Sequence, residues 1–197
     1  EIELFHRARV ELLGRGRELT LVDVATPNVS PLPILGRVTL PGLVSKIALS
    51  GTVPGLAAVA MDAEGVALVD YSTPSAPVMT RHFAVGGPAY GLAFGPTEGG
   101  LFLPPVERLF VARGFGGIQI VEYDNPGGPV LRGSFVHGSP YQSNSVDVVV
   151  ERFDLGFSNY AYRAFVADQN AGVTALDVAS ADSPFLAGGP YALSGPA

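Results

Sequence analysis

Asp62, Glu64, Arg113 and Asp168 are the residues of this chain whose types suit a reacting or binding site, because each falls in a loop between short apolar runs. Paired carboxylates across a cleft serve as acid and base in glycoside cleavage when their separation is right. Hard oxygen donors also suit Ca²⁺, but none of these stands in the closely alternating acidic loop of a dedicated site. Phe115, Gln169 and Asn170 lie in the same turns, and Tyr90, Tyr141 and Asn144 in a second set of loops. This mixture of carboxylates, amides, rings and one guanidinium is expected to bind a small polar ligand, a sugar or a peptide terminus. The alternative is that all are solvated turn residues.

Other chemistries find no motif. There is no Cys, hence no disulfide, thiolate metal site or thiol nucleophile within the chain. His6, His82 and His137 have no carboxylate or second His close in sequence and make no metal motif. Residues 139–145 lack the Gly-x-Ser-x-Gly elbow, and Gly114–Gly117 lacks the strand, helix and Lys of a phosphate loop. Neither metal nor cofactor is expected. A net charge of −6 leaves no basic stripe, so nucleic acid is not an expected partner. Arg7, Arg9, Arg15 and Arg17 alternate with Glu1, Glu3, Glu11 and Glu18, which reads as the solvated face of a strand. No apolar run of 18 residues and no basic-then-apolar leader occurs, so no membrane insertion is expected in this segment. The chain starts at Glu1, as expected of a processed product or an excised piece.

Those loops are positioned by a repeat. LTLVDVATP ends at Pro27, VALVDYSTPSAP at Pro77, IQIVEYDNPGGP at Pro129 and VTALDVASADSP at Pro184. The acids Asp23, Asp70, Glu122 and Asp177 stand 47, 52 and 55 residues apart, in the range of solenoids and propellers. Gly65, Gly117 and Gly172 precede three of the acids by five positions, and Ala60, Ala112 and Ala167 by ten. With 25 Gly and 17 Pro between short apolar runs, the chain reads as all-β, four antiparallel strands (A to D) per unit. The second unit is read as 44–50, 56–61, 65–71 and 78–85, and the third as 89–94, 108–113, 117–123 and 130–136.

Units that cannot cover both faces alone meet the requirements of propeller blades. The chain is therefore expected to be a β-propeller of about four blades, near 1–42, 43–86, 87–138 and 139–188. Residues 189–195 are expected to form an inner strand, either closing a four-blade ring or starting a further blade. The first unit is expected to open in strand B, near 8–13, with its turn in doubt because Glu18 and Leu13 replace the Gly and Ala. The repeated acids read as structural, accepting N–H bonds at the end of strand C. Asp147, on an inner strand, requires solvation or hydrogen bonding. Residues 95–108 and 151–160 read as loop insertions whose Leu101, Phe102, Leu103, Phe153, Leu155 and Phe157 form an apolar contact patch or fold back on the disk.

The stretches AVAMDAEGVALVDYSTPSAPVMTRHF and FVARGFGGIQIVEYDNPGGPVLRGSF resemble the LVIVD repeat, and FVADQNAGVTALDVASADSPFLAGG is similar to it. That resemblance implies exported or cell-surface propellers of bacteria and archaea, usually part of a larger protein, with no shared catalytic residues. The expected function is a non-catalytic platform for protein, glycan or surface contacts outside the cytoplasm. Two other functions stay open. One is an accessory or catalytic domain of a larger redox or hydrolytic enzyme using Asp168, Arg113 and Asp62; the other is a structural subunit of an extracellular assembly.

Overall fold

The computed structural model describes residues 2–3, 10–25, 30–98, 104–138, 142–156 and 159–191. No helix occurs among them, as the Gly and Pro punctuation dictates. Sixteen strands form four antiparallel sheets of four, each sheet from consecutive strands. Blade 1 comprises β1 (Ile2–Glu3), β2 (Val10–Arg15), β3 (Glu18–Asp23) and β4 (Ile34–Thr39). Blade 2 comprises β5 (Lys46–Leu49), β6 (Leu56–Ala60), β7 (Val66–Asp70) and β8 (Val78–Phe83). Blade 3 holds β9 (Gly91–Thr97), β10 (Val106–Ala112), β11 (Ile118–Glu122) and β12 (Val130–Phe135). Blade 4 holds β13 (Ser145–Gly156), β14 (Asn159–Asp168), β15 (Gly172–Asp177) and β16 (Phe185–Tyr191).

Three apolar layers join neighbouring blades. The central strands of blades 2 and 3 are apolar on both faces because a sheet covers each side. Leu12, Leu19 and Leu21 of blade 1 meet Ala57, Val59, Ala67 and Val69 of blade 2. Ala58, Ala60, Val66 and Leu68 on blade 2's other face meet Leu92, Leu109, Val111 and Val121 of blade 3. Phe110, Ala112, Ile118 and Ile120 continue the series against Val148, Val150, Tyr162 and Ala164 of blade 4. The outer strand β8 alternates in exposure, since only one of its faces has cover.

Four details differ from the sequence reading. Residues 151–156 and 159–160 are not loop; they extend β13 and β14 into a long hairpin with Arg152 opposite Tyr162 and Phe153 opposite Ala161. The aromatic residues Phe153, Tyr160 and Tyr162 on the two arms suit strand positions. The insertion in blade 3 is likewise strand at its edges, through Thr97 and from Val106. Gly188–Tyr191 is not an inner strand but the end of outer strand β16, with Tyr191 opposite Val173; residues 192–195 lie outside those described. In blade 1, β1 supplies an inner strand of its own, Ile2 opposite Leu13. There the turn after strand B is shorter, because Arg15 pairs directly with Glu18. Gly14, not Leu13, therefore stands opposite Leu19, as Ala60 stands opposite Val66 in blade 2.

The repeated acids hold their turns as expected, with one exception. Asp23, Asp70 and Asp177 each accept the backbone N–H two residues on, at 2.8, 2.8 and 3.0 Å. The bonds from Ser72 hold the Asp70 carboxyl below the usual aspartate range. Glu122 is one methylene longer and pairs with Arg132 at 3.4 Å and Arg108 at 3.8 Å. Asn125 holds that turn, accepting the Gly127 N–H at 2.9 Å.

Candidate functional site

The turns between strands B and C and the loops between successive blades lie at one end of the sheets. Each of the first three turns carries a residue in the left-handed region: Gly16 (φ 62°), Asp62 (φ 50°) and Gly114 (φ 58°). Aspartate is among the few non-glycine types that tolerate it. These residues clip each blade to the next through the backbone. Val44 donates to the Gly16 carbonyl at 2.7 Å, Asp62 and Ala89 exchange bonds of 3.0 and 2.8 Å, and Gly114 and Ser145 exchange bonds of 2.9 and 3.0 Å. Arg17 adds side-chain bonds to the carbonyls of Leu40 and Pro41, so this arginine is also part of the clip. Asp62 thus serves the frame with its backbone, while its side chain is exposed.

Arg113 is 8% exposed and spends its guanidinium on carbonyls. Its Nη1 donates to Val85 at 2.9 Å and Gly86 at 3.4 Å, and its Nη2 to Gly116 at 2.6 Å. Burial lowers its pKa from the usual arginine value. Its Nε has no partner among the described residues. Asp168 is 5% exposed and accepts four bonds. Its Oδ1 receives the N–H groups of Asn170 (2.9 Å) and Ala171 (3.0 Å), and its Oδ2 the Asn144 N–H (2.7 Å) and the Ser145 hydroxyl (3.1 Å). Carboxylate and guanidinium each tie their own turn to the preceding inter-blade loop.

Blade 4 brings four expected residues together. Asn144 Nδ2 donates to Gln169 Oε1 at 2.8 Å, and Asn170 Nδ2 to the Gln142 carbonyl at 2.9 Å, all beside Asp168. Tyr90 and Asn144 both border Gly114. Phe115, next in the chain, is 72% exposed, and Tyr90 is exposed too. Glu64 sits in blade 2's turn with an exposed side chain, its carbonyl 2.6 Å from His82 Nε2. Tyr141 lies outside the described residues, as do Leu101, Phe102, Leu103 and Phe157 of the expected apolar patch. Phe153 and Leu155 are exposed on the extended hairpin. No group of three His, Asp or Glu side chains able to hold a metal converges among the described residues.

Two constellations escaped sequence reading. At the opposite end, Glu107 of β10 accepts bonds from Ser50 Oγ (2.5 Å), Thr52 Oγ1 (3.0 Å), the Gly51 N–H (2.9 Å) and Tyr123 Oη (2.8 Å). Burial first, and then the bond to Glu107, pushes the Tyr123 phenol up to about 12. The cluster ties blade 2 to blade 3. Its only sequence signal is a carboxylate in the strand VERLFVA. The second is Lys46, the single lysine, whose Nζ lies 3.4 Å from Asp147 Oδ2. Asp147 also accepts the Val148 N–H at 2.9 Å, and its side chain is partly exposed, so the inner-strand carboxylate is both hydrogen-bonded and open to solvent.

Four sheets stacked in succession and clipped at one end by their turns, with blades 2 and 3 also tied at the other end by Glu107, define a repeat β-module of propeller-type blades. The LVIVD repeat model matches residues 41–85 and 158–189, which span blade 2 and the last three strands of blade 4. Blade 3, outside that match, repeats their register: Phe110 faces Ile120 as Ala58 faces Leu68 and Phe165 faces Ala175. No curated protein matches the chain.

Proposed function

We propose that the chain is a non-catalytic platform whose B-to-C turns and inter-blade loops meet a protein or glycan partner outside the cytoplasm. One observation carries the reading. The groups best suited to chemistry, Arg113 and Asp168, are buried and hydrogen-bonded within the fold, while Phe115, Tyr90, Gln169 and Asn170 face solvent on the same end. Rings beside amides are the equipment of sugar and peptide contacts, where a flat apolar face stacks and amides take hydroxyls or main-chain groups. The placement outside the cytoplasm rests on the resemblance to exported LVIVD-repeat proteins. Glycan and peptide arrays probed with the wild-type chain and with Phe115→Ala and Tyr90→Ala test the reading. Binding that falls about tenfold or more in these variants supports it. Binding that is unchanged in both, or turnover of an arrayed ligand, overturns it.

A further inference from the structure

The corner between the turns of blades 3 and 4 gathers rings and amides. A Cβ at Gly114 would stand 2.8 Å from Tyr90 Cε2 and 3.5 Å from Asn144 Oδ1, so the bare turn lets a ring edge and an amide oxygen flank one point. Phe115 follows in the chain with its ring exposed. Asn144 Nδ2 donates to Gln169 Oε1 at 2.8 Å, and the Gln169 backbone N–H donates to the Asn144 carbonyl at 3.0 Å, which fixes the two amides against each other. A side-chain amide has one oxygen and two N–H groups. Among the described residues Asn144 Oδ1 and Gln169 Nε2 have no partner, so the pair keeps an acceptor and a donor on adjoining side chains, one partly and one fully exposed.

The surroundings narrow what these groups can meet. Arg113 gives its guanidinium to the carbonyls of Val85, Gly86 and Gly116, and the exposed carboxylates of Asp62 and Glu64 on the preceding turn repel an anion. An extended peptide finds no open ladder, because the turn backbones pair with the neighbouring loops, Asp62 with Ala89 and Gly114 with Ser145. A sugar needs neither charge nor ladder. Its C–H face stacks on rings, and its hydroxyls both donate and accept.

We propose that this corner takes the terminal residue of a neutral glycan, stacked by its C–H face on Phe115 and Tyr90, with two neighbouring hydroxyls on Asn144 Oδ1 and Gln169 Nε2. The inference rests on the platform reading above and names the ligand class of that same end.

Titrations followed by NMR, with neutral trisaccharides of gluco, galacto and manno configuration, with trigalacturonate and with an unmodified tripeptide, test it. At least one neutral trisaccharide is expected to bind, and trigalacturonate to bind about tenfold more weakly. Asn144→Ala and Gln169→Ala are each expected to weaken the neutral sugar by about tenfold or more. The two side chains hydrogen-bond each other alone among the described residues, so urea midpoints close to wild type verify folding. Tripeptide binding that Phe115→Ala weakens, with no neutral sugar bound, overturns this inference and leaves the platform reading standing. Sugar binding that both amide variants leave unchanged, or trigalacturonate bound as tightly as the best neutral sugar, does the same. A chain that binds none of these probes overturns the inference too, while the arrays decide the platform reading separately.

Discussion

Lys46 Nζ lies 3.4 Å from Asp147 Oδ2, and the two residues hold the inner-strand position that Gly91 holds on the strand between them. Register fixes the equivalence: Lys46 stands opposite Ala60, Gly91 opposite Ala112 and Asp147 opposite Ala167. A lysine thus reaches from blade 2 across a bare backbone to a carboxylate of blade 4. A Cβ at Gly91 would stand 2.5 Å from the Val146 carbonyl oxygen and 2.7 Å from Asp147 Oδ1.

Gly91→Ala is therefore expected to force β9 from β13 and cost about 1–3 kcal/mol, as overpacking does. Asp147→Asn removes only a partly exposed ion pair, worth up to about 1 kcal/mol and weakened by salt. Urea unfolding at low and high salt separates the two. Equal losses in both variants contradict the close approach.

Asp23 and Asp70 close their turns through one backbone bond each. Asp23→Ala and Asp70→Ala are expected to cost about 0.5–1.5 kcal/mol at neutral pH. The Asp70 carboxyl titrates below its unfolded value, so its contribution is present above that value and lost as pH falls through the folded one. The penalty of Asp70→Ala must then shrink in acid. Unfolding curves at neutral and strongly acidic pH check it; a constant penalty contradicts the turn bond.

Tyr123 titrates at about 12, above its ordinary value of 10.0. A phenol raised in the folded state stabilises below pH 10, and that contribution declines as pH rises from there toward 12. Ultraviolet titration of phenolate absorbance is expected to lose its highest step in Tyr123→Phe. The substitution keeps the edge-on ring contact with Phe94 and costs about 1 kcal/mol for the bond to Glu107. An unchanged alkaline step places the raised phenol elsewhere.

The repeat made the frame legible. Gly65, Gly117 and Gly172 all lie at positive φ, as their place at the end of a tight turn requires. The blade 4 hairpin was not legible, because Gly156 and the polar residues near it read as loop although the flanking alternation pairs them. Strand assignment also missed the role of 189–191, since register against Val173 is a tertiary fact. In the candidate site, spacing placed Asp168 and Asn144 on one end correctly. It gave no sign that the carboxylate is filled by its own turn and by the preceding inter-blade loop, because hydrogen-bond saturation depends on where Ser145 and Ala171 arrive in space. Glu107 and Lys46 went unread for the same reason: their partners lie 57 and 101 residues away.

The division between frame and contact surface is tested most directly by comparing Asp168→Ala with Phe115→Ala in one urea-unfolding series, with array binding read on the same preparations. Asp168→Ala strips a buried turn of four bonds and is expected to lower the unfolding free energy by about 2–4 kcal/mol. Phe115→Ala alters an exposed ring and is expected to stay within about 0.5 kcal/mol of wild type while binding falls. An Asp168→Ala chain of wild-type stability that has lost a reaction or a ligand contradicts the assignment of that carboxylate to the frame.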